Sequence, residues 1–108
     1  MDEKIFEFFY FSNFSVQDKP VEIDIMMQSI ESKFPFRCSY GGILEVPHWA
    51  FDSKREQYRV EDFFIQLVKV RKFIAFGVTA EDIFVENLNF IFGLASPTAL
   101  VGIVSTQR

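Results

Sequence analysis

Three short apolar runs, at 5–11, 36–46 and 73–78, are separated by two amphipathic stretches of helical length, and this order constrains the fold more than any other feature of the chain. Strands joined by a helical crossover run parallel, because a tight turn can connect only antiparallel neighbours, and such crossovers are right-handed. The first run is broken only by Glu7, the pattern of a strand buried on both faces of a sheet. Polar punctuation at 12–19 contains Asn13, Ser15 and Asp18, and Pro20 then supplies the fixed φ that a first helical turn accepts. A helix is expected from there, with Ile23, Met27, Ile30 and Phe34 on one stripe and Pro35 ending it. In the second run the pair Gly41-Gly42 predicts a bend or bulge.

Pro47 closes that strand, and 47–52 reads as a loop. Ser53-Lys54-Arg55-Glu56 has the S-x-x-E form of a capping box, which predicts that the second helix starts there and runs to about Arg71. Its apolar face is Val60, Phe63, Phe64, Leu67 and Val68. After the third strand, 79–82 reads as a turn, Phe90-Ile91-Phe92 as an edge strand ending at Gly93, 95–98 as a turn and 100–105 as a last strand. So short a turn permits an antiparallel neighbour. The expectation is one α/β domain over 1–108, with a mixed, mostly parallel sheet of about five strands backed by two helices. Fifteen phenylalanines require an aromatic core. An apolar strand close to Arg108, with no polar cap after it, suggests the first part of something larger.

A net charge of −4 with scattered basic residues disfavours nucleic acid, whose affinity comes from clustered Lys and Arg. The densest basic group, Lys69, Arg71 and Lys72, falls where a helix ends and complements its dipole. One cysteine, Cys38, allows no internal disulfide, supplies no metal-ligand spacing and fits a small buried hydrophobe in a reducing compartment. The acidic N-terminus lacks the form of an export signal, and no stretch reaches membrane-spanning length, so the chain reads as soluble and cytoplasmic. His48, the single histidine, could act as a base if Asp52 oriented it, although a structural or exposed role is the commoner one for a lone histidine. Glu81 and Asp82 follow a strand, where α/β proteins place functional groups, but carboxylates there also shape turns. Phosphate-binding and esterase-elbow motifs are absent from the sequence.

Four segments read together are more specific. Arg55-Glu56-Gln57-Tyr58, Gly77-Val78-Thr79-Ala80-Glu81-Asp82-Ile83-Phe84, Asn89-Phe90-Ile91-Phe92-Gly93-Leu94-Ala95 and Val104-Ser105-Thr106-Gln107-Arg108 resemble, in order and spacing, motifs of the archaemetzincins. The likeness covers 55–108, and the first half agrees in element order more than in residues. Members of that family are zinc-dependent metallopeptidases of the metzincin clan, whose metal is held by an H-E-x-x-H-x-x-G-x-x-H helix following the strand that ends in S-x-x-R. Histidines four apart share a helix face, and the glutamate between them serves as general base for the zinc-bound water.

The resemblance implies that this chain is the N-terminal part of a peptidase fold, forming the sheet and upper rim of the substrate cleft without the zinc helix, and inactive alone. Zinc is then a cofactor of the full-length family, with no catalytic or metal-binding residue on this chain. Peptide or protein substrates would pair with an edge strand at Phe90, Ile91, Phe92, Gly93, Leu94 and Ala95. The uncovered sheet would drive self-association. The alternatives are a small protein-binding α/β module, a degenerate non-catalytic relative, and a small enzyme using His48.

Overall fold

The computed structural model describes residues 5–13, 19–85 and 93–106. Its main sheet has five strands: β1 (Ile5–Phe11), β2 (Arg37–Leu44), β5 (Ile74–Thr79), β7 (Gly93–Ser96) and β8 (Val101–Ser105), in the order β2-β1-β5-β8-β7. The first four in that order run parallel and β7 runs antiparallel to β8. Helices α1 (Val21–Lys33) and α2 (Val60–Val70) are the crossovers that make the parallel arrangement possible. A small second sheet, β3 (Phe51–Asp52), β4 (Gln57–Arg59) and β6 (Ile83–Phe84), is ordered β3-β4-β6. The mixed sheet and its two helices agree with the sequence expectation.

Alternation along β1 assigns the two helices to opposite faces of the sheet. Phe9 and Phe11 enter a cluster with Val60, Phe63 and Leu67 of α2, together with Ala75, Val101 and Ile103. Phe8, one residue away and therefore on the other face, packs with Ile23 of α1 and Val78, backed by Met26, Met27, Ile30 and Phe76. Phe11 and Phe63 meet edge to face at 4.8 Å. The core is aromatic, as fifteen phenylalanines demanded.

α1 begins directly after Pro20, carries Glu22 and Asp24 in its first turn and Lys33 in its last, and ends where Phe34 turns extended before Pro35. Of its expected stripe Ile23 is fully buried, while Phe34 remains 54% exposed beyond the helix end. The glycine pair forms the bulge expected of it. Phe8 pairs with Tyr40 and Phe9 with Gly42, so Gly41 is the extra residue, and Gly42 takes φ +114°, which a side chain disfavours.

Two expectations are corrected. Ser53 to Glu56 does not cap the second helix: it is the turn of a hairpin between β3 and β4, and α2 starts at Val60. Asp52 takes over, its Oδ1 accepting the Lys54 and Arg55 amides at 2.9 and 3.1 Å while its carbonyl accepts the Glu56 amide at 2.7 Å. Glu56 sits at φ 56°, outside the extended geometry of a helix-preceding cap. The strand before β8 is also displaced. Ala95 and Ser96, expected in a turn, belong to β7, and the turn is 97–100, while Phe90, Ile91 and Phe92 lie outside the described residues.

Candidate functional site

β7 is the edge of the main sheet, with β8 as its one partner among the described residues. Gly93, Leu94 and Ala95 of the expected substrate-binding set stand there exposed, and the other three members, Phe90, Ile91 and Phe92, lie outside the described residues. The 97–100 turn fixes the orientation of the edge backbone. Ser96 accepts the Leu100 amide on its carbonyl at 2.9 Å and the Ala99 amide on its Oγ at 3.3 Å, with Leu100 at φ 58°. Ser96 therefore directs its carbonyl toward β8. By period-two alternation Leu94 does the same, and the Ile103 carbonyl lies 3.0 Å from where a Gly93 Cβ would stand, as that geometry requires. Gly93 and Ala95 direct their N–H and C=O groups outward, as donors and acceptors for an added strand.

The carboxyl ends of β1, β5 and β8 meet in a hydroxyl-stitched cluster. Buried Thr79 donates its hydroxyl to the Phe11 carbonyl at 3.4 Å and accepts the Glu81 amide at 3.2 Å. Ser105 Oγ donates to the Glu81 carbonyl at 2.6 Å, and the Thr106 amide reaches the Thr79 carbonyl at 2.8 Å. The Asp82 carbonyl accepts the Tyr58 amide at 2.8 Å and ties the small sheet to this end. The carboxylates of Glu81 and Asp82 were read as shaping this turn, but the described bonds run through their backbone groups, and it is Thr79 that caps the Glu81 amide. Sequence reading held Thr79 and Ser105 within two of the resembling segments but gave neither this stitching role, because a hydroxyl at a strand end does not show which distant carbonyl it reaches.

His48 and Asp52 are not joined. His48 is exposed in a short 3-10 turn with its ring against Trp49 at 5.3 Å, whereas Asp52 Oδ1 is occupied by the hairpin amides, and no hydrogen bond links the two residues among those described. Trp49 Nε1 donates to Asp62 Oδ1 at 3.1 Å. Cys38 lies part-buried in β2, its thiol pKa raised by burial and then by the nearby Glu31 carboxylate, so it is no activated nucleophile. Burial, followed by the charges of Glu22 and Glu81, likewise raises the Tyr10 phenol. The donor set does not fit zinc: among the described residues no three His, Cys, Asp or Glu side chains stand together to hold a metal. Nor, among them, is any helix long and apolar enough to cross a membrane.

The Arg55 to Tyr58 segment lies in the hairpin turn and β4, ahead of α2, with the Arg55 guanidinium 4.4 Å from the centre of the Phe84 ring. It thereby joins two of the segments that carry the family resemblance.

No family model matches the chain. It is 38% identical over 66 residues to the archaemetzincin of Haloquadratum walsbyi, covering 58% of this chain and 37% of the relative. Against the archaemetzincin of Pyrococcus furiosus it is 32% identical over 95 residues, covering 80% of this chain and 50% of the relative. The chain thus spans half or less of the length of these curated relatives. In fold it is similar to the crystal structure of archaemetzincin from Archaeoglobus fulgidus, with a TM-score of 0.77 at 19% identity over 94% of this chain and 60% of that one. A zinc-dependent peptidase from Methanocorpusculum labreanum gives a TM-score of 0.76 at 22% identity over 95% of this chain and 64% of that one.

Proposed function

The chain is archaemetzincin-like in sequence and fold over the part of the relatives that it spans, and from this premise we propose that it is the N-terminal portion of a zinc-dependent peptidase, providing the sheet and the upper rim of the substrate cleft. The observation that carries this reading is the antiparallel edge strand β7, whose Gly93 and Ala95 turn their backbone groups outward within a segment similar to an archaemetzincin motif. A peptide laid along β7 extends the sheet by one strand, with main-chain hydrogen bonds holding it straight for attack. Phe90, Ile91 and Phe92 belong to the same proposed rim.

The metal and its general base come from residues that are not among these 108, so the chain by itself neither holds zinc tightly nor hydrolyses peptides. Its sheet face beyond α1 is apolar, and copies associate through it. Amide hydrogen exchange tests the rim: an added extended peptide slows exchange at Gly93 and Ala95. Protection elsewhere, with these two amides unchanged, refutes the assignment.

A further inference from the structure

We infer that Glu31 holds the β2 edge of the main sheet closed, so that the β7 edge of a second copy cannot add to it and extend the sheet from chain to chain. An open sheet has two edges, and β2 is the one opposite β7, with β1 as its one partner among the described residues. A parallel strand bonds its neighbour through both backbone groups of every second residue and turns those of the residues between away. Cys38 donates its amide at 2.8 Å to Glu31 Oε2, which puts Cys38 among the residues of β2 that face away from β1. By the same alternation Tyr40 is the next. The Glu31 carboxylate therefore occupies the place that a carbonyl of an added strand would take.

The carboxylate arrives there because α1 is the crossover between β1 and β2. Glu31 stands exposed in the last turn of that helix, and the short link at 34–36 brings Cys38 back beside it. Beyond Tyr40 the edge is broken a second time. Gly41 is the extra residue of the bulge and Gly42 takes φ +114°, so the even spacing of outward groups ends where the register shifts. β7 carries neither device: its four residues pair with β8 in unbroken register, and Gly93 and Ala95 direct their backbone groups outward. The two edges are thus unequal, one open and one closed. Joining unlike edges is a head-to-tail contact, which propagates from copy to copy unless one edge is blocked. The inference concerns the edge opposite the proposed peptide rim and does not rest on the peptidase reading.

The test is sedimentation velocity of Glu31→Ala, with Glu31→Gln beside it, over increasing concentration. Alanine is the best helix former and keeps α1 intact while removing the acceptor, whereas glutamine keeps an oxygen at the same reach. Glu31→Ala is expected to form species larger than a dimer that grow with concentration, and Glu31→Gln to sediment like the unaltered chain. In dilute Glu31→Ala the Cys38 amide should exchange about tenfold faster, the worth of one hydrogen bond to a charged acceptor. Adding Ala95→Pro to Glu31→Ala removes an outward N–H from β7 without touching its bonds to β8, so the large species should disappear while the tryptophan emission of the folded chain persists. Glu31→Ala that sediments like the unaltered chain overturns the closure by Glu31. Large species that survive Ala95→Pro overturn β7 as the strand that is barred.

Discussion

Glu56 occupies a left-handed conformation, φ 56°, in an exposed turn, at a cost of about 1–2 kcal/mol to a residue with a Cβ. Glu56→Gly is therefore expected to raise stability by about 1 kcal/mol in urea unfolding, once the greater chain entropy of glycine is allowed for. A capping role for the carboxylate would give the opposite sign, so this one variant decides between the two local readings of S-x-x-E. Gly102→Ala places a methyl against the Phe76 ring and is expected to cost about 1–3 kcal/mol by overpacking. Titration adds a second residue-scale consequence. Tyr10, Tyr40 and Tyr58 have pKa values raised above the ordinary 10.0, and Cys38 above 9.0, in each case mainly by burial. The folded chain keeps these protons to higher pH than the unfolded chain does. Their contribution to stability is whole below the ordinary values and is lost as pH rises through the raised ones. Urea midpoints should fall on going from about pH 8 to about pH 11, and an unchanged midpoint would count against this burial.

The start of α2 depends on Asp62 rather than on the serine that the sequence pattern nominates. Asp62 sits in the first turn, accepts Trp49 Nε1 at 3.1 Å and holds Arg59 through Nε and Nη2, each at 2.9 Å. Asp62→Ala removes all three contacts and a favourable dipole interaction, for an expected loss of about 1–2 kcal/mol given the partial exposure of the pair. Trp49 is the single tryptophan, so its emission should shift in the same variant. The elements legible in the sequence were those written in long hydrophobic periods. β1 was visible because both its faces are covered, α1 because Pro20 and Pro35 bracket one stripe, and the β2 bulge because two glycines stand together. The two-residue strands β3 and β6 are too short to show alternation. β4 was hidden because Gln57 to Arg59 pairs parallel with a strand more than twenty residues away, a tertiary choice that no local pattern encodes. Of the candidate site, an edge strand before β8 was read at Phe90 to Phe92, which lie outside the described residues, whereas β7 stands at Gly93–Ser96. Its register was not legible, because the 97–100 turn depends on Leu100 adopting positive φ, and leucine gives no warning of that.

At the scale of the molecule, the two faces of the main sheet are unequally covered. α2 lies over β5 and β8, and its face contains the larger buried cluster. α1 shields Phe8 and Val78 on the other face, but Phe6, Ile74, Phe76 and Val104 remain only partly buried, beside cavities of about 300 and 180 Å³. Soluble monomers seldom leave a continuous apolar area of more than a few hundred Å² open to water. A symmetric pair of chains would cover this area, with each contributing about 800 Å² at a standard-sized interface. Sedimentation velocity over increasing concentration should therefore resolve a reversible dimer, and Ile74→Lys, which places an ammonium in the apolar face, should shift the chain toward monomer. A single monomeric species of the unaltered chain at all concentrations would mean that this face is wetted without penalty.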